Sequence, residues 1–307
     1  MQLSQTGSKP LAHLAIALAG GVWGVFWIPL RTLDNAGIPG AWATSVFHLM
    51  PALILLPVVF LRFTKIKAAG APLQAIGSSL GVSMMLYSTS FLYTDVIHAI
   101  LLYYLTPIWS VLLARAWLKE PISNSRIISI VLGLSGMLVV LNIEQGFPVP
   151  QNIGDWMALA AGIIWAVSVN LLRRYPHYQT LDITTTWFYW ATAFSVIVAC
   201  VTYPNVGSET LKAVFDVLIW VLPIALLVLL PVYFVAAWGV PKLNPGTSGI
   251  LFMTEISVGA ISAALLTNEP FGLREILGVG LITAAGLSET VSPMLMGLFY
   301  KRGSVQK

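Results

Sequence analysis

The chain has 307 residues, of which 57% are hydrophobic and 9% charged. A soluble domain carries about 25% charged residues, so these charges could not clothe a water-facing surface, and a soluble enzyme or nucleic-acid-binding domain is excluded. The net charge of +4 at pH 7 belongs instead to loops at a membrane surface, and the single cysteine, Cys200, rules out an intrachain disulfide or a Cys-based metal cluster.

The hydrocarbon core of a bilayer is about 30 Å thick and takes roughly 20 apolar residues per helix. In chain order, apolar runs predict spans at 11–30, 41–61, 73–93, 97–117, 126–143, 155–173, 183–203, 216–239, 247–267 and 276–298. The first run follows Lys9 and continues into Trp23, Trp27 and Arg31 with no small-residue cleavage site, so it reads as a span and not as a signal peptide. Gly, Pro and charges punctuate the short loops at 35–40, 146–150 and 242–246. The runs are continuous and do not alternate, which excludes a β-barrel. Backbone groups in lipid must satisfy their own hydrogen bonds, so the spans are helical. The predicted fold is an all-α membrane protein of ten transmembrane helices.

Lys and Arg orient it. With a cytoplasmic N-terminus, the inside residues are Lys9, Arg62, Lys65, Lys67, Arg115, Lys119, Arg126, Arg173, Arg174, Lys242, Lys301, Arg302 and Lys307, and the outside residues are Arg31, Lys212 and Arg274. A split of 13 against 3, out of 16, favours both termini in the cytoplasm of a cell with an inner (plasma) membrane.

The two halves of the chain resemble each other. A shift of 142 residues lays 13–31 (HLAIALAGGVWGVFWIPLR) on 155–173 (DWMALAAGIIWAVSVNLLR) and matches Gly20 with Gly162, Trp23 with Trp165 and Arg31 with Arg173. A shift of 149 lays the ninth span on the fourth and matches Glu120-Pro121 with Glu269-Pro270. Shared apolar composition explains Ala and Leu matches, but not Trp, Arg and Glu-Pro recurring in order. The predicted repeats are 11–143 and 155–298. Five helices per half is an odd number, so the second half inserts inverted. Inverted repeats place a substrate site near the midplane and permit alternating access.

These residues carry a resemblance to a known family. ALAGGVWGVFWIPLR, GDWMALAAGIIWAVSVNLLRR, LTPIWSVLLARAWLKEP, ISAALLTNEP, GLSGMLVVL and EILGVGLITAAGLSE, in this order and spacing, resemble the drug/metabolite transporter superfamily with two EamA-type halves. The resemblance covers nearly the whole chain. It implies a ten-helix carrier, often an exporter of amino acids, metabolites or amphipathic drugs. Within the superfamily the chain looks most like exporters of aromatic amino acids.

Glu255 is the foremost candidate for function. A carboxyl in mid-span is costly and should face a bundle interior or wet cavity. There it could partner a substrate ammonium group or carry coupling protons; as an alternative it could be a structural acid bonded to a neighbouring helix. Ser248, Glu255 and Ser262 recur every seven residues with Gly259 between, which predicts one polar stripe. Ser79, Ser83, Tyr87, Ser90 and Thr94 form a second stripe, either cavity lining or interhelical glue. Trp23, Trp27 and Arg31 follow at i, i+4 and i+8, with Trp165 and Asn170 as the counterpart in span 6. Trp23 and Trp165 suit cavity walls that stack an aromatic substrate or attract an ammonium, while Trp27 suits the interfacial belt. The fourth span adds His98, Tyr103 and Tyr104 beside Pro107 and Trp109; the seventh carries Trp187, Tyr189 and Trp190, which cannot all face one cavity. His48 reads as a packed intramembrane donor. Pro107, Pro223 and Pro231 predict kinks.

Residues 133–136 read GLSG, a GxSG pattern seen in intramembrane serine proteases, but small residues are also what helix packing requires. No Walker A sequence, HExxH or Cys/His metal spacing appears, so no cofactor and no enzyme activity is expected. The expected partners are a small-molecule substrate, lipid and protons, with no nucleic acid. No basic residue lies deep in a span, which argues against strongly anionic substrates.

Overall fold

The computed structural model describes residues 8–90, 93–94, 96–140, 149–204, 207–267 and 272–303, with side chains described except at 8, 96–98, 263, 267 and 289–303. The described residues are helical, and no strand occurs among them. The chain runs through α1 (Ser8–Trp23), α2 (Trp27–Asn35), α3 (Gly40–Ile54), α4 (Leu56–Ser90), α5 (Val96–Tyr103), α6 (Thr106–Leu113) and α7 (Asn124–Val140). It continues through α8 (Ile153–Arg174), α9 (Thr180–Thr202), α10 (Ser208–Ile224), α11 (Leu230–Gly239), α12 (Pro245–Phe252), α13 (Thr254–Thr267) and α14 (Leu273–Gly303).

The outer surface of this bundle is apolar. Leu61 is 83% exposed and Ile219 82%, and Phe60, Phe215 and Leu265 also face outward. Such a surface has lipid as its solvent. Six stretches are long and apolar enough to cross a bilayer: Lys9–Asn35, Ala99–Leu118, Ile153–Arg174, Thr180–Thr202, Ser208–Lys242 and Pro245–Leu266. A seventh is added if the pair Gly40–Ile54 and Leu56–Ser90, bent by 72°, counts as one span. Asn124–Val140 is apolar but has 17 residues, and it packs along α14.

Several boundaries differ from the sequence expectation, each for a local reason. The expected loop at 62–72 is helical, because helix α4 carries Arg62, Lys65 and Lys67 on its own turns and bends only at Gly70. Gly70 has φ of +67°, a conformation open to glycine, and Pro72 then starts the next turn. The eighth span begins at Ser208 and not at 216. Its two prolines do not break it, since a π-helical stretch, Ala225–Leu229, stands between Pro223 and Pro231 and takes up the hydrogen-bonding mismatch. Pro107, by contrast, sits where α5 gives way to α6.

Helix α4 packs along α8 and α9, α3 along α9, and α1 against α11, α12 and α13. Polar ties cross between early and late helices at both ends of the bundle. At one end, Arg62 donates from Nε to Asp182 Oδ1 at 2.5 Å and from Nη2 to Oδ2 at 2.8 Å. At that same end Arg173 Nε donates to Glu120 Oε1 at 3.1 Å, Arg173 Nη1 to the Pro241 carbonyl at 3.2 Å, and Asn244 to Glu120. At the opposite end Thr94 donates to Asp155 Oδ1 at 2.5 Å and Trp42 to the Tyr203 carbonyl at 3.2 Å.

Candidate functional site

Two broken helices meet in the middle of the bundle. One break separates α5 from α6 at Tyr104 and Leu105; the other separates α12 from α13 at Met253. At both, the backbone tightens to short-range bonds: Ile108 N–H donates to the Leu105 carbonyl at 3.0 Å, and Ile256 N–H to the Met253 carbonyl at 3.0 Å. A threonine hydroxyl serves each break. Thr106 donates to the Tyr103 carbonyl at 2.5 Å, and Thr254 to the Leu251 carbonyl at 2.9 Å and to the Ala17 carbonyl of α1 at 2.7 Å. A glycine of a neighbouring helix lies against each break. A Cβ on Gly162 would stand 2.6 Å from the Tyr103 carbonyl oxygen, and one on Gly20 would stand 2.9 Å from that of Phe252. Only hydrogen fits there, and this brings α8 and α1 onto the two discontinuities.

A cavity of about 10 Å³ lies between them, room for about one water. Trp23, Tyr103, Tyr104, Thr106, Trp165, Gly249, Phe252 and Glu255 line it. Glu255 sits in the first turn of α13 and accepts a hydrogen bond from Tyr104 OH. Tyr87 is the second hydroxyl bonded to this carboxyl. Around the acid the rings interlock: Tyr87 stacks on Tyr103 at 4.0 Å between centroids, and Trp23 stacks on Phe252 at 4.8 Å and meets Trp165 edge-on at 5.6 Å. Trp187 and Tyr233 form the next layer, 4.5 Å apart, with Trp187 5.6 Å from Trp165. The lining holds one acid and no base. Such a box can neutralise a cation and enclose an apolar or aromatic group.

Of the residues named from the sequence, the structure brings together Glu255, Tyr87, Trp23, Trp165, Tyr103 and Tyr104. Ser83 adjoins them: it donates to the Ala161 carbonyl at 2.8 Å, joining α4 to α8, and is hydrogen-bonded to the side chain of Tyr103 on the cavity wall. Ser248 donates to the Pro245 carbonyl within its own helix. Asn170 donates to the carbonyls of Ser110, at 3.2 Å, and Ala166, at 2.8 Å, farther along α8. His98 is in α5, and its side chain lies outside the described residues.

Of the two expected stripes, Ser83, Tyr87 and Ser90 stay together as buried residues of α4, with Ser83 and Thr94 both bonded to α8, while the stripe of Ser248, Glu255 and Ser262 is divided. The break at Met253 separates Ser248 from Glu255, and Ser262 accepts a bond from Trp27 Nε1 at 3.1 Å. The turn at 24–26 likewise separates Trp23 from Trp27, and Arg31 is exposed. His48 is packed, bonded to the Thr44 carbonyl at 3.0 Å. The GLSG segment is packing surface: a Cβ on Gly136 would stand 2.7 Å from the Gly278 carbonyl oxygen of α14.

The sequence reading did not name Phe252, Tyr233 or Thr106, and it left Trp187 undecided. Phe252 falls 149 residues after Tyr103, so the repeat register was a usable signal for it. Tyr233 and Trp187 carry no such signal in an apolar helix.

The profile of the EamA-like transporter family matches residues 10–142 and again 152–287. The chain belongs to the EamA-like transporter family. This transporter is 21% identical over 248 residues to an uncharacterized transporter of Clostridium kluyveri, which covers 76% of this chain and 78% of the relative. A solved crystal structure overlays it with a TM-score of 0.67 at 17% identity, covering 94% of this chain and 99% of the other, which shows a shared fold. It is therefore a multi-pass membrane transporter for a small molecule.

Proposed function

We propose that this transporter is a secondary carrier that exports small amphipathic amines, above all aromatic or hydrophobic amino acids, by alternating access. The observation that carries the reading is the partly buried Glu255 carboxyl inside an aromatic box at the meeting of two broken helices. Broken helices at mid-depth are where carriers bind cargo, since freed backbone is tolerated only beside a cavity. The aromatic walls match an aromatic or branched side chain, and the carboxyl matches an ammonium group. A cavity of about 10 Å³ has no room for such a cargo, so the walls must part to admit it. Polar ties close both ends of the bundle, which fits a closed form between two open ones.

The wider architecture belongs to the same reading. We infer ten passes in two inverted repeats, 11–143 and 155–298. The packing supports this: α8 lies on the break between α5 and α6 as α1 lies on the break between α12 and α13. The Lys and Arg split of 13 to 3 supports cytoplasmic termini in an inner membrane. A second reading, efflux of cationic amphipathic drugs by the same site, draws on the lining's one acid and absent base. Glu255 is also where coupling protons would bind.

Uptake of labelled phenylalanine and of a lipophilic cation into proteoliposomes separates the readings. Saturable phenylalanine uptake, competed by tryptophan and leucine, is the expected result. Cation uptake without amino-acid uptake would transfer the assignment to drugs.

A further inference from the structure

An amino acid brings a carboxylate as well as an ammonium group, and the site has no base to receive it. The donors around the cavity are therefore decisive. The hydroxyls of Tyr104 and Tyr87 are committed to Glu255, that of Tyr103 is bonded to Ser83, and that of Thr106 to the Tyr103 and Gly162 carbonyls. Two donors of the aromatic box have no partner: Nε1 of Trp23 and Nε1 of Trp187. Both side chains are more than nine-tenths buried, at 8% and 0% exposure. Their ring centroids are 6.4 Å apart, and Trp23 lines the cavity itself. A buried indole N–H without a partner is uncommon, and leaving two of them in one aromatic box, Trp23 on the cavity wall and Trp187 in the layer behind it, is costly unless something else completes them.

We propose that Trp23 and Trp187 donate their indole N–H groups to the carboxylate of the cargo, while Glu255 faces its ammonium group. The site then distinguishes zwitterions from simple amines of the same shape. This rests on the amino-acid reading above and deepens it. The physical reason is charge balance. A zwitterion carries no net charge into the bilayer, but each of its poles needs its own partner. The acid supplies one partner, and neutral N–H donors supply the other without adding a buried cation that would pair with Glu255 and quench it. Hydrogen bonds to an ionised acceptor are also the stronger kind.

The test is competition against labelled phenylalanine in proteoliposomes of the full chain, using unlabelled phenylalanine and phenethylamine, which lacks only the carboxylate. In the wild-type protein phenylalanine competes at least roughly tenfold better than phenethylamine, the scale of one bond to a charged group. Trp23→Phe keeps a ring against Phe252 but removes the N–H; it weakens phenylalanine about tenfold more than phenethylamine, which shares the wall contact but not the carboxylate. Trp187→Phe acts in the same direction. Equal competition by the two compounds in the wild-type protein overturns the inference with no variant needed. So does a change of the same factor for both compounds in the variants, or no change for either. Phenylalanine uptake persists in those outcomes, so the amino-acid reading survives them. Absence of phenylalanine uptake by the wild-type protein removes both.

Discussion

Glu255 holds its place through two tyrosine hydroxyls, and this decides what its loss should do. The glutamine of Glu255→Gln keeps the shape and can still accept from Tyr104, so the fold should persist while the charge is gone. Transport should fall at least severalfold with an unchanged gel-filtration profile; full activity would remove the proposed role of the carboxyl. Tyr104→Phe takes away one of the two donors and should lower transport less than Glu255→Gln, as measured by initial uptake rates. An acid in mid-span has few explanations, and for that reason Glu255 was legible in the sequence. Tyr233 was not, since an aromatic residue in an apolar helix reads the same whether it faces lipid or a cage. The serines were ambiguous for a related reason. In an apolar surrounding a hydroxyl bonds whatever carbonyl is near, and Ser83 and Ser248 are satisfied by Ala161 and Pro245.

The helices were legible as elements where apolar runs are long, and Pro107 marked one of the two central breaks, but the other was not legible. Met253 interrupts a run whose composition stays uniform across the break, so hydropathy passes over it. Close approach carries the breaks. Gly162→Ala would push a methyl group to within 2.6 Å of the Tyr103 carbonyl, and overpacking of this sort costs about 1–3 kcal/mol. Thermal unfolding in detergent should show a lowered midpoint, and an unchanged midpoint would mean that α8 does not bear on the break. The ties at the bundle ends differ in kind. Arg62 grips Asp182 with two bonds and a third to Gln179, between helices that pack along their length, so it reads as a fixed joint. Arg173 and Glu120 are 37% and 22% exposed at the side chain, and a solvent-exposed pair contributes only about 0–1 kcal/mol. A tie that weak can open on each transport cycle. In a Cys200→Ala background, Ser110→Cys should react slowly with a membrane-impermeant maleimide, and adding Glu120→Gln should speed the reaction severalfold. Equal rates would show that this pair does not gate access.

At the scale of the whole molecule the physics is simple: an apolar exterior places the bundle in lipid, and every function must then lie inside it or at its two ends. Composition alone carried that much. The arrangement of the interior needed coordinates, because which aromatic residues converge depends on how tightly glycines let helices approach. If the orientation inferred from the basic residues is right, reporter fusions at both termini will signal from the cytoplasm, and one fused after residue 150 will signal from outside. The measurement that bears most directly on the central claim is phenylalanine uptake into proteoliposomes, with and without a pH gradient, for the wild-type protein beside Glu255→Gln. The account predicts saturable uptake that the variant largely loses. Uptake no greater than into empty liposomes, or uptake equal in wild type and variant, would contradict it.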